Sequence, residues 1–126
     1  MLDYSKPTAM MLGRWQPWHK GHQELFKKAL EKTGQVIIMI RSMPESKDNP
    51  FGLLKVTENI EEALIEYKGK FAIMVVPNIT HICYGRGVGY KIEEIVLPKD
   101  IQEISATKIR ESMGNQEKPT IMTTRI

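Results

Sequence analysis

Apolar runs of strand length alternate along this chain with stretches whose apolar residues recur at helical spacing. Residues 8–12 are apolar-rich and lead into Gly13, the pattern of a buried strand that ends in a tight turn. Over 21–32, Leu25, Phe26, Ala29 and Leu30 fall on one helix face, and Gly34 supplies a helix-ending glycine. Residues 35–41 contain Val-Ile-Ile-Met-Ile, the run expected of a fully buried strand. A polar loop over 42–49 follows. Asn49-Pro50 then has the form of a helix start, with Asn49 as cap and Pro50 at the first helical position. Val56, Ile60, Ala63, Leu64 and Tyr67 line one face of that helix, and Lys68-Gly69 closes it. Residues 71–76 read as a third strand stopped by Pro77, 79–84 as a fourth, 90–94 as a short helix and 95–97 as a short fifth strand. A last helix spans 105–113, with Ser105 as cap and Gly114 as terminator.

Strand, helix, strand, helix, strand predicts an α/β fold: a Rossmann-like three-layer sandwich around a mainly parallel five-stranded sheet. One domain over 1–114 accounts for the periodic part. The tail over 115–126 is polar and broken by Pro119, and reads as an oligomer arm or a disordered end. There is no repeat and no low-complexity linker.

Composition narrows the function classes. Apolar residues make up 41% of the 126 and charged residues 26%, as in an ordinary globular domain with room for a core. The longest apolar runs are far shorter than the roughly 20 residues of a membrane helix, and residues 1–7 lack the apolar stretch of a signal peptide. The expectation is a cytoplasmic protein without a membrane partner. The net charge of +3 comes from basic residues spread along the chain rather than gathered with aromatics, which argues against nucleic acid and suits a phosphate-rich small ligand. The lone Cys83, in an apolar-rich stretch, reads as a small buried hydrophobe.

In open parallel sheets, ligands bind beyond the carboxyl ends of the strands. At the end of the first predicted strand stands Gly13-Arg14-Trp15-Gln16-Pro17-Trp18-His19-Lys20-Gly21-His22. It opens a helix, whose unpaired N–H groups and positive dipole end favour phosphate. Gly21 leaves room for a phosphate near the backbone. His19 and His22 are three apart and share a helix face, so both imidazoles can donate to phosphate oxygens. A metal pair would need more ligands, and the only other histidine is His81, so no metal site is assigned. The dinucleotide glycine fingerprint and the P-loop are both absent. Trp15 and Trp18 flank the loop, one of them able to stack on a base, or both serving to cover the sheet.

This loop resembles the His-x-Gly-His signature of the nucleotidyltransferase superfamily. The ten-residue run is similar to the Gly-Arg-Phe-Gln-Pro-Phe-His-x-Gly-His form of archaeal-type nicotinamide-mononucleotide adenylyltransferases, with two Trp in place of two Phe. Ile104-Ser105-Ala106-Thr107-Lys108-Ile109-Arg110 resembles the superfamily's second signature, Ile-Ser-x-Thr-x-x-Arg. Asn49-Pro50-Phe51 is a weaker third match; the preceding loop in that family helps hold phosphates, which makes Arg41, Lys47 and Asn49 acceptor-side candidates beside Gln16. The glycine-rich stretch around Gly85 and Arg86 permits close approach of a base or ribose, or is simply a flexible turn. Its layout before 95–98 and 104–105 looks more like glycerol-3-phosphate cytidylyltransferases, whose Gly-Thr-Phe-Asp nevertheless stands where this chain has Gly13-Arg14-Trp15-Gln16. The longer substrate-recognition region of typical nicotinamide-mononucleotide enzymes is missing between Val76 and Ile104.

The resemblance implies in-line transfer of a nucleoside monophosphate from ATP to a phosphorylated small molecule, with release of pyrophosphate. The alternative is CTP-dependent transfer to a polyol or sugar phosphate such as glycerol 3-phosphate. It implies that His19, His22, Arg14 and Arg110 act at the reacting phosphates, with Ser105, Thr107 and Arg110 on the β- and γ-phosphates. Gly13, Trp15, Gly21 and Ile104 complete the nucleotide site. Mg2+ would arrive with the nucleoside triphosphate, and the protein would be a homo-oligomer.

Overall fold

The computed structural model describes residues 1–86, 89 and 91–113. Strand β1 (Ala9–Gly13) leads to helix α1 (Lys20–Thr33), strand β2 (Val36–Arg41), helix α2 (Leu53–Ala63) and strand β3 (Phe71–Val76). Two short helices follow, α3 (Lys99–Gln102) and α4 (Ala106–Ser112). Among the described residues the sheet has three strands in the order β1-β2-β3, all parallel. Ala9 pairs with Val36, which pairs with Phe71; Gly13 pairs with Ile40, which pairs with Val75.

A strand order that advances in one direction puts both right-handed crossovers on the same face of the sheet. That face carries Val36, Ile38 and Ile40, all fully buried, together with Met11. Phe26 and Ala29 of α1 and Val56 and Ile60 of α2 pack there in one cluster, joined by Leu64. Phe26 is wedged edge-on against Tyr67 and Phe71, with ring centroids 5.3 and 6.1 Å away. At about 1.5–3 kcal/mol for each large apolar side chain taken from water, this cluster is the main favourable term for the domain. On the opposite face Met10 and Met74 remain 48% and 44% exposed. The described residues thus form two layers of the expected sandwich. No helix among them is long and apolar enough to cross a membrane.

Gly34 closes α1 as foreseen. Its φ of 85° lies in the left-handed region, and its N–H donates to the Leu30 carbonyl. Other expectations need correction. The second helix begins at Leu53 with Gly52 as N-cap, not at Asn49-Pro50. Asn49 is held in a tight turn with Ser46 through reciprocal backbone hydrogen bonds of 3.0 and 3.1 Å, which leaves it no part in the helix. Residues 79–84, expected as a strand, run as coil, with Ile82 and Tyr84 exposed. Residues 95–97 do the same, with Val96 exposed. Among the described residues neither stretch has a neighbouring strand to pair with, and an isolated run of apolar residues does not make a strand. The expected five strands are therefore three among the described residues. Cys83 is exposed rather than buried, for the same reason. Residues 91–94 of the short helix expected over 90–94 are coil. Tyr90, Gly114 and the tail 115–126 lie outside the described residues.

Candidate active site

The site forms where β1 ends and α1 begins, and its histidines are themselves the cap of that helix. His19 is the N-cap residue, with φ −141° and ψ −176°. Its Nδ1 accepts a 3.0 Å hydrogen bond from the Gly21 N–H. The His19 N–H in turn donates to Nδ1 of His22 at 3.1 Å. The pair thus builds a reciprocal capping box, which usually uses Ser or Thr with Glu or Gln. Chemically this fixes both tautomers: a ring nitrogen that accepts from a backbone N–H carries no proton, so each neutral ring keeps its hydrogen on Nε2. The two imidazoles stack, with centroids 3.7 Å apart and planes 21° from parallel. Burial holds His19 at a pKa of about 4. Burial first, and then the neighbouring His19, hold His22 at about 3. Near neutral pH both are uncharged Nε2–H donors at the positive end of a helix, suited to phosphate oxygens.

The two glycines of the loop are required for close approach rather than flexibility. A Cβ on Gly21 would lie 2.8 Å from the His19 ring, and one on Gly13 would lie 2.9 Å from the Trp15 indole. Trp15 has a φ of 55°, an unfavourable left-handed conformation for a bulky residue. Its indole N–H donates to the Met39 carbonyl at 3.0 Å. Trp18 is 1% exposed and donates to Oε1 of Gln23 at 2.9 Å. Both indoles are buried, so the covering role of the two tryptophans is the observed one.

Two segments distant in sequence close the site. The Gln16 side chain grips the Phe51 backbone from both ends, donating to its carbonyl at 2.8 Å and accepting from its N–H at 3.0 Å. Beside it, Arg14 donates to Asn49 Oδ1 at 3.3 Å. From the other side Arg110 reaches across 94 residues of sequence and donates to the Gln16 carbonyl at 2.6 Å. Its second terminal nitrogen donates to the Thr107 hydroxyl at 3.3 Å. Burial, and then the Arg14 guanidinium, lower the Arg110 pKa, while Asp48 and Glu111 act the other way. Two guanidiniums thus share one end of the sheet with the histidine pair. Ser105 caps α4, accepting from the Lys108 N–H at 3.4 Å, and Ile104 is half-buried just before it.

The remaining candidates stand further out. Arg41 ends β2 and donates to Asn78 Oδ1 at 2.7 Å, while its buried Nε has no partner among the described residues. Lys47 is exposed. Gly85 and Arg86 are exposed in coil, and no hydrogen bond among the described residues ties them to the signature loop. One residue of consequence escaped the sequence reading. Gln23 is buried inside the α1 face and bridges Trp18 to the Ala63 carbonyl, donating to the latter at 2.9 Å. Its signal was a polar residue three positions before Phe26, in the apolar stripe of the helix.

The comparisons agree with this architecture. The sequence profile of the cytidylyltransferase-like family matches residues 10–63, which span β1 through α2 and include the histidine pair. The likeness to the nucleotidyltransferase superfamily therefore holds over that segment. Within it, the chain is similar to the nicotinamide-nucleotide adenylyltransferases of Methanococcus maripaludis strain C5, at 37% identity over 65 residues, and Archaeoglobus fulgidus, at 39% over 67. These matches cover 47% and 52% of this chain, and each covers 38% of the relative, so the chain is matched to well under half of the proteins it resembles. Among solved structures it is similar to a bifunctional NMN adenylyltransferase/ADP ribose pyrophosphatase from Francisella tularensis. That likeness has a TM-score of 0.53 at 28% identity and covers 57% of this chain and 22% of the other.

Proposed function

We propose that this protein is a nucleotidyltransferase that moves the adenylyl group of ATP onto a phosphorylated small molecule of the nicotinamide-mononucleotide type. The single observation that carries the reading is the Arg110–Gln16 hydrogen bond, which ties the second signature segment to the first. The similarity of residues 10–63 to nicotinamide-nucleotide adenylyltransferases supports adenylyl transfer in particular.

In the proposed reaction an acceptor phosphate oxygen attacks the α-phosphorus of ATP. A new P–O bond forms, the α–β bridging P–O bond breaks, and pyrophosphate leaves with the electron pair. The enzyme supplies position and charge rather than a covalent intermediate. His19 and His22 donate from Nε2 to the triphosphate. Arg14 and Arg110 offset the charge that builds on the departing pyrophosphate, with Ser105 and Thr107 at the start of α4 beside them. Mg2+ suits the phosphates and water as its hard oxygen ligands; bound with the nucleotide, it neutralises phosphate charge. Among the described residues no group of three or more His, Cys, Asp or Glu converges, so its ligands would come chiefly from the nucleotide. The active form in this reading is a homo-oligomer, which light scattering checks.

Pyrophosphate release tests the reading, with ATP and CTP side by side and nicotinamide mononucleotide and glycerol 3-phosphate as acceptors. Release with ATP and nicotinamide mononucleotide is expected, and His22→Ala should lower kcat by about 100-fold or more. Release with CTP and glycerol 3-phosphate instead would move the protein to the cytidylyl reading. Release with no pair would reject both.

A further inference from the structure

We propose that Trp15 and Trp18 are positioning residues for His22: their two indole N–H anchors fix the cage that holds this imidazole in place as an Nε2–H donor. The catalytic part of this inference rests on the function proposed above; the structural part does not.

The His22 ring is enclosed by aromatic groups on several sides. It stacks on His19, meets Trp15 edge-on at 4.8 Å and 84°, and leans on Trp18 at 5.4 Å and 48°. The two indoles also contact one another, at 5.2 Å. A phenyl ring would fill much of the same space, but it has no N–H. Here each indole is pinned to a different rigid element. Trp15 is bound to the Met39 carbonyl in the middle strand of the sheet. Trp18 is bound to Gln23, which is itself bound to the Ala63 carbonyl at the end of α2. The cage is therefore referenced to β2 on one side and to the packing of α1 and α2 on the other.

The backbone points the same way. A bulky residue at φ 55° persists only where its surroundings over-determine it. For Trp15 the determinants are its hydrogen bond to Met39 and the bare Cα of Gly13 beneath its ring. Loosening either indole frees the His22 ring to rotate away from the His19 N–H. The tautomer that this single hydrogen bond enforces would then be lost.

The test compares the intact chain with Trp15→Phe, Trp18→Phe and the double variant, labelled with 15N-histidine. Ring nitrogen shifts near neutral pH report the tautomer of His22 directly. In the unaltered protein they should show one neutral form, with Nδ1 unprotonated. In the variants the two nitrogen shifts should converge or broaden, and kcat should fall about tenfold while the KM for nucleotide stays within about twofold. Gln23→Met removes the Trp18 acceptor without touching the indole. It should reproduce Trp18→Phe, and it serves where a tryptophan variant does not fold. A lowered melting temperature with His22 shifts identical to those of the unaltered protein would overturn the proposal. Altered shifts in a protein that releases no pyrophosphate with any substrate pair would sustain the positioning role and reject the proposed activity.

Discussion

Residues 9–76 and residues 77–113 are both punctuated by apolar residues, yet most of the burial falls in the first stretch. In the first, Phe26, Val36, Ile38, Ile40, Ile60 and Leu64 are wholly enclosed. In the second, Ile82, Tyr84, Ile92 and Val96 are more than half exposed, and among the described apolar residues Ile101 alone is buried. The difference is one of partners. Each βα unit of the first region lays its apolar face on the one before it, whereas the described residues of the second form no strand and two short helices. An apolar residue stabilises a fold by the surface it loses to contact, not by its identity. The second region is tied to the first at a few points: buried Ile101, Met113 packed against the core, the Lys32–Glu93 ion pair, and the reach of Arg110 to the Gln16 carbonyl.

The sharpest way to break this contrast is to truncate one apolar residue in each region. Phe26→Ala should cost about 3–5 kcal/mol in denaturant unfolding, because an enclosed ring leaves a cavity. Ile92→Ala should stay within about 0.5 kcal/mol, because the side chain is already in water. Equal losses would mean that the second region has a core of its own.

Next in size is the clamp inside the first region. Gln16→Ala strips the Phe51 N–H and carbonyl of their partners, at about 1–3 kcal/mol for each buried group left unsatisfied. Chemical denaturation should show that loss, and hydrogen exchange should quicken at Phe51.

Acid separates the regions by charge. An unfolded imidazole takes up its proton near 6.5, whereas the partly buried His22 does so only at about 3. Between those values the unfolded chain holds more protons, so stability falls as pH falls through that window. From this group the loss should be about 1–3 kcal/mol by pH 4–5, and His22→Gln should flatten the slope. A stability that does not change between pH 6.5 and 4 would contradict the burial of the pair.

The smallest effect should come from the link itself. Arg110→Ala removes the hydrogen bonds to the Gln16 carbonyl and to the exposed Thr107 hydroxyl, and about 1 kcal/mol of global stability is expected to go with them. Amide exchange in α4 should nevertheless rise well above that in α1. Unchanged exchange in α4 would show that its own packing, and not Arg110, holds the second region in place.

Much of the first region was legible in the sequence. β1, α1, β2 and β3 follow from local patterns: a run of β-branched residues, a helical stripe and a glycine stop. Those signals are strong because the partners that bury each element lie next to it in the chain. The two signature motifs were legible, and Arg110 of the second does bond to the loop that carries His19 and His22. Its internal wiring was not. Asn49 looked like a helix cap, and only contact with Ser46 and Arg14 showed that it is part of a loop. Gln16 carries no mark in the sequence of its hold on Phe51, 35 residues away. The 79–84 stretch has a strand-like composition, but a strand also needs a neighbour.

The order of residues alone settled the residue chemistry: two histidines three apart, glycines in the loop that carries them, and a basic signature far downstream. Local propensity and spacing act over a few residues, and they determine which elements form. The three-dimensional fold decided that the histidines cap their own helix, which fixes their tautomers, and that burial suppresses their charge. It alone decided that both tryptophans are buried and anchored, and that Ile82, Tyr84, Ile92 and Val96 stay at the surface. Burial and long-range hydrogen bonds depend on which distant surfaces meet, and a linear pattern carries that information only where the partners adjoin.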